Sequence, residues 1–268
     1  MAVTKRGYVF GAFLSGVLSV LLLVTSIASD HWVVSTASTV GQSQDSFIHY
    51  GLFGGEFELN IFTTPTLNRL YVTCILDINA CAVSCKTDRE ARLEEVRALE
   101  KGFRPNEACV SVTIVDTSNP VEKPPIIKYS VYLSLLVILF VQLALAVISA
   151  GLAIFNATKN PTETIFGLPG CLWSNVATVV LGVSFMVFFG VYWLASGWSD
   201  HLAFSYVALG DWRSAQALGY SYWLLLGANL CSLLSVGLIL LRRYLLERDP
   251  PPPTIKVENH SDGTIFLY

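Results

Sequence analysis

GYVFGAFLSGVLSVLLLVTSIA, residues 7–28, is the stretch whose reading decides the fold. No charged side chain interrupts its roughly 22 positions, and a helix rising about 1.5 Å per residue over that length crosses the ~30 Å hydrocarbon layer of a bilayer. Lys5 and Arg6 stand just before it, where positive charge favours the cytoplasmic side. Asp30-His31-Trp32 stand just after it, with an indole placed for the far interface. The chain is therefore expected to start inside and exit outside. A basic start, an apolar run and the small residues at Ser26-Ile27-Ala28 also sketch a secretory signal. The run is longer than the roughly 7–15 residues of a signal core, so a retained span is the expectation.

The rest of the chain has the same character. Of 268 residues, 53% are hydrophobic and 14% charged, where a soluble domain carries about 25% charged residues. A net charge of −3 gives no basic field, which argues against nucleic acid as a partner. Three further charge-free runs, residues 129–155, 171–194 and 220–241, are each long enough to cross once. Four spans put both ends on one side. The long loop, residues 29–126, exceeds about 60 residues and does not vote in the orientation rule. The short segments do: Lys5, Arg6, Lys159, Arg242, Arg243 and Arg248 fall on one side, and residues 195–219 carry only Arg213 on the other. Residues 1–6, 156–170 and 242–268 are thus expected in the cytoplasm, and residues 29–126 and 195–219 outside. Trp32, Tyr129, Tyr132, Tyr192, Trp193, Trp198, Tyr220, Tyr222 and Trp223 collect at the expected outer ends, where aromatic rings anchor at the headgroups.

Polar residues within the spans are uncharged: Ser15 and Ser19, Gln142, Asn175 and Asn229. Charge inside a membrane marks ion paths, proton relays and voltage sensors. Amides in its place are expected to hydrogen-bond between helices. Gly7 with Gly11, and Gly182 with Gly190, offer close-packing surfaces, expected within the bundle rather than between molecules.

The outer loop is long enough to be a folded module. WVVST from Trp32, SFIHYGLF from Ser46, RLYVTCI from Arg69 and ACVSVTIV from Ala108 have β-rich composition. DREARLEEVRALEK, residues 88–101, reads as a helix that Asp88 can cap and Gly102 can end, with a narrow apolar stripe of Leu93, Val96 and Leu99 and a solvated charged face. Cys74, Cys81, Cys85 and Cys109 all lie in this loop, an even set that reads as two disulfides in an oxidising compartment; three connectivities are open. Metal binding at Cys81-Ala-Val-Ser-Cys85 is disfavoured, since no histidine lies in the same part of the loop. The sequons at Asn156 and Asn259 fall on expected cytoplasmic segments and should be unmodified. The fold class expected is a membrane all-α four-helix transmembrane bundle with a small, disulfide-stapled extracellular β-rich module.

After Arg248, the run Pro250 to Pro253 stops any helix and leads into an extended tail ending Thr264-Ile-Phe-Leu-Tyr268. Phe266 and Tyr268 hold the alternating positions that a PDZ-type groove accepts, which makes a PDZ-domain scaffold a candidate partner. No nucleotide loop, metal spacing or catalytic constellation is present in the sequence pattern, and His31, His49, His201 and His260 are scattered along the chain. No catalytic, cofactor-binding or metal residue is therefore assigned, no cofactor is expected, and the chain is not expected to be an enzyme.

Read together in their order, several short motifs carry a resemblance. They are Asp30-His31-Trp32 at the first exit and Tyr50-Gly51-Leu52-Phe53-Gly54-Gly55 in the loop. They continue with Asn160-Pro161-Thr162-Glu163-Thr164, Gly167-Leu168-Pro169-Gly170 and Cys171-Leu172-Trp173 around the third span, then Asp200-His201-Leu202 and the terminal Leu267-Tyr268. The chain resembles the clarins, within the wider claudin-like and PMP22-like tetraspan proteins. The resemblance implies a multi-pass plasma-membrane protein that organises or assists other integral membrane proteins, linked in that family with sensory hair-cell bundles, synapses and the actin cortex. Homo-oligomers are compatible with it. Trp32, Leu52 and Phe53 are expected to pack at the base of the loop, with Tyr50 and Gly51 as part of the same folding anchor. The insertion at residues 86–107 and the extra cysteines of the loop depart from the clarin pattern. Two other readings share the fold: a claudin-like junction protein, for which the loop pattern W-GLW-C-C is only partly matched because Phe53 stands where the second Trp would be, and an auxiliary subunit of a channel or receptor.

Overall fold

The computed structural model of the chain describes residues 2–38, 45–60, 65–106, 109, 114–116, 124, 126–158, 166–195 and 213–248. Four long helices contain the four apolar runs: α1 Ala2–Ala28, α3 Tyr129–Thr158, α4 Leu168–Ala195 and α5 Tyr220–Arg248. Each is long and apolar enough to cross a bilayer. Between α1 and α3 lie strands β1 Val33–Ser38, β2 Ser46–Tyr50, β3 Gly54–Leu59, β4 Thr66–Ile75 and β5 Ala80–Ser84. They are followed by helix α2 Arg89–Glu100 and strands β6 Arg104–Asn106, β7 Ile114–Asp116 and β8 Ile127–Lys128. A last strand, β9 Arg213–Leu218, precedes α5.

Helix pairing follows the small polar residues. On α1, the Ser15 hydroxyl donates to the Cys231 carbonyl at 2.6 Å and that of Ser19 to the Ala228 carbonyl at 2.9 Å, while Ser26 donates to the Ser221 carbonyl at 2.7 Å. All three acceptors belong to α5, so one face of α1 is zipped along its neighbour by hydroxyls that lipid could not satisfy. Gln142 on α3 donates to the Asn229 side-chain oxygen on α5 at 3.0 Å, directly over Gly182 of α4. A Cβ at Gly182 would overlap both amides and approach Asn229 Cγ at 2.7 Å, so this glycine lets three helices meet at one polar contact. Asn175 differs from expectation: its amide donates to the Cys171 carbonyl one turn back, at 2.9 Å, and stays within its own helix. Gly7 has open space beside it, whereas Gly11 packs on Leu238 within the bundle.

The β content is larger than a small module on an all-α bundle, and it corrects that part of the expected fold class. Seven antiparallel strands form one sheet in the order β8-β5-β4-β3-β2-β1-β9, with a separate β6-β7 pair. β9 comes from the segment before α5 and pairs along β1, Val33 opposite Leu218 and Ser38 opposite Arg213. The sheet therefore draws on both inter-helix segments at that end of the bundle. The strand expected across residues 108–115 is described only at β7, which pairs with β6 and not with the main sheet.

One core runs from bundle into sheet without a break: Leu135, Phe185 and Phe189 from the helices join Trp32, Ile48, Tyr50, Phe57 and Leu70. A second small core, Ile75, Ala80, Ala82, Val96 and Leu99, seats α2 on β4 and β5; with Cys81 and Val83 facing the main core, every residue of β5 is buried. Asp88 caps α2 by accepting from the Ala91 amide at 3.1 Å, and Gly102 ends it at φ 78°, the left-handed conformation a helix stop favours. Glu95, buried on that helix, accepts from the Ser84 hydroxyl of β5. The four loop cysteines pair as Cys74–Cys81, across β4 and β5, and Cys85–Cys109, while Cys171 and Cys231 are free.

Candidate functional site

The junction between bundle and sheet is built by a short link, residues 29–32, between α1 and β1, and by the tight turn at residues 51–53 between β2 and β3. Backbone from β2, from Gly219 and from the first turn of α5 converges on the link. The Trp32 amide donates to the Tyr50 carbonyl at 3.1 Å, the Gly219 amide to the Trp32 carbonyl at 2.9 Å, and the Ser221 amide to the His31 carbonyl at 3.2 Å. The Trp32 indole, 1% exposed, donates to the Ser26 carbonyl at 2.8 Å and sets its edge against Phe185 of α4, with ring centroids 5.6 Å apart. One side chain thus ties the end of α1 to α4 and to the sheet, combining aromatic packing with a satisfied N–H.

Gly51 is required by close approach. Its amide donates to the Gly54 carbonyl at 2.7 Å, closing the turn, and a Cβ there would overlap the Ser29 carbonyl and lie 2.7 Å from Asp30 Cα. Leu52 is buried, and its carbonyl accepts from the Tyr132 hydroxyl of α3 at 2.6 Å. Phe53 departs from the expected packing: it is 53% exposed, because Leu52 takes the inward position of the turn and the next side chain emerges on the other side, while the Phe53 carbonyl accepts from Val72 of β4. Tyr50 is buried in the core with a hydroxyl that has no partner among the described residues, and burial pushes its phenol well above the ordinary range.

Beside this anchor the link and the β2–β3 hairpin gather a set of groups that sequence spacing did not reveal. The His31 and His49 rings stack, 4.0 Å between centroids and 19° from parallel, and Tyr220 stacks on His31 at 4.7 Å. Asp30 reaches both imidazoles: one carboxylate oxygen lies 2.6 Å from His31 Nδ1 and the other 3.6 Å from His49 Nε2. Glu56, directly opposite His49 in the β2–β3 register, brings a carboxylate oxygen to 4.0 Å from the same Nε2. Arg69, the cross-strand neighbour of Glu56 on β4, makes no ion pair with it among the described residues. Burial, and then the neighbouring His31, push the His49 imidazole below its ordinary value, against the pull of Asp30 and Glu56. His31 and His49 are far apart in sequence. The signal that unites them is the antiparallel return of β2 on β1, which places Tyr50 opposite Val33 and His49 opposite Val34.

Of the residues singled out from the sequence, Trp32, Tyr50, Gly51 and Leu52 come together here, and the four loop cysteines lie in the sheet and beside α2. Phe266 and Tyr268 lie outside the described residues, as do Asp200-His201-Leu202 and Asn160 to Thr164. At the far end of the bundle, a recess of about 380 Å³ lies between α4 and α5, lined among others by Leu172, Trp173, Leu246, Arg242 and Arg243. No protein-family model matches the chain, and no curated protein matches it in sequence.

Proposed function

We propose that this chain is a non-enzymatic, clarin-like tetraspan protein of the plasma membrane, with both termini cytoplasmic and the sheet outside, that organises or assists assemblies of other integral membrane proteins. The observation that carries the reading is the continuous core from four apolar helices into a sheet assembled from both inter-helix segments, which makes a rigid cap on one end of a lipid-facing bundle. The bundle turns large apolar side chains outward along its length, among them Leu14, Leu21, Val137, Val187 and Leu233, as a surface suited to lipid and to other spans. Function on such a scaffold lies in surfaces rather than in a reaction centre. The tail residues Phe266 and Tyr268 add a route to a PDZ-domain scaffold and through it to the actin cortex, and the sensory hair-cell role follows the same resemblance.

Proximity labelling in native cells, with the label on the cytoplasmic tail, tests the reading. The expected result is enrichment of integral membrane proteins and cortical scaffolds, with the scaffolds lost when Tyr268 is deleted. Selective conductance from the pure reconstituted protein would replace it with a pore. The cap's exposed Leu67 and Leu76 favour a second reading, contact through the cap with a protein on a facing cell or with a channel in the same membrane. Enrichment at cell contacts that depends on residues 29–126 favours the junction; co-purification with a channel and altered gating favours the auxiliary subunit.

A further inference from the structure

We propose that Asp30, His31 and His49, with the Glu56 carboxylate beside them, form a binding site for one zinc-class divalent cation. One donor atom from each of Asp30, His31 and His49 lies within 4.8 Å of the other two, and none of the three side chains is fully buried. Tetrahedral zinc with bonds of about 2.0–2.1 Å to nitrogen holds its donors about 3.3 Å apart, so the donors start near ligating separation, and closing on a metal requires the stacked His31 and His49 rings to tilt until both nitrogens point at one ion. Asp30 and Glu56, 43% and 37% exposed, have room to rotate toward the same ion.

The donor chemistry selects the metal class. Two imidazole nitrogens with carboxylate oxygens suit zinc and its first-row neighbours, whereas calcium and magnesium take all-oxygen shells. Glu56 or a water completes four-coordination. The backbones that carry the donors are already fixed, by the Ser221 amide on the His31 carbonyl, by the Trp32 amide on the Tyr50 carbonyl, and by the direct pairing of His49 with Glu56. Donors on a rigid frame lose little freedom on binding. The site joins the α1–β1 link to the middle of the sheet, so a bound ion would clamp the cap to the bundle. This inference stands apart from the proposed function and does not rest on it.

The test uses the full chain purified in lipid nanodiscs, stripped with a chelator and titrated with Zn²⁺ while tryptophan fluorescence follows thermal unfolding. The expected result is a saturable rise in midpoint with Zn²⁺ and none with Mg²⁺ or Ca²⁺, and visible absorption from one Co²⁺ per chain. His49→Gln and Asp30→Asn should each weaken Zn²⁺ binding by about tenfold or more. Asp30→Asn changes a partly exposed side chain without changing its size, so it carries the test should His49→Gln fail to fold. No saturable rise in the wild-type chain would overturn the site. So would an equal rise in the folded variants, which would place the metal elsewhere, for instance at Cys171 or Cys231.

Discussion

Tyr50 sits in the middle of the core with its hydroxyl unpartnered among the described residues, which is a cost that its ring must outweigh. Removing that oxygen should be neutral or favourable: Tyr50→Phe is expected to leave the unfolding midpoint unchanged or to stabilise by up to about 1 kcal/mol, read by thermal melts in detergent. Gly51→Ala should do the opposite, since its methyl meets backbone at Ser29 and Asp30 that cannot yield; a loss of about 1–3 kcal/mol is expected in the same assay. At this scale the anchor was readable from sequence, because an indole just past an apolar span and a glycine in a β-rich loop each have a restricted set of uses. The histidine pair was not. His31 and His49 meet only once β2 returns along β1, and composition does not specify register.

Among the elements, the two disulfides should differ in weight. Cys74 and Cys81 already face each other across hydrogen-bonded strands and enclose a separation of 7, whereas Cys85–Cys109 spans 24 residues and ties the sheet to the chain beyond α2. Cys85→Ser with Cys109→Ser is expected to cost about 3 kcal/mol, and the Cys74–Cys81 pair less, measured as shifts in midpoint without reductant. Ser19→Ala, which removes a hydroxyl bonded to both the Ala228 carbonyl and Ser232, should weaken the α1–α5 contact by about 0.6–2 kcal/mol. The four helices and α2 stood out in the sequence through length, caps and period, and the serines of α1 through their position in an apolar run. β9 did not: RSAQAL has neither a β-branched run nor a strong alternation, and it becomes a strand because β1 offers it an open edge. Asn175 was misjudged for a related reason, since an amide in a span can turn back on its own helix as well as reach another.

For the molecule as a whole, four helices that each crossed a bilayer once would place the two ends on one side. Epitope tags at the two termini are then expected to show equal protection in intact cells, with residues 29–126 open to external protease; tags of opposite accessibility would require an odd number of crossings and overturn the four-span arrangement. The seam between β1 and β9 has a consequence for biogenesis. Residues 33–38 leave the ribosome long before residues 213–218, so the β1 edge of the nascent sheet waits, with its amides and carbonyls unmatched, through the synthesis of two further long helices. A chain cut short after α4 would carry that raw border permanently, and pulse-chase experiments should find it held by chaperones and degraded faster than the full chain.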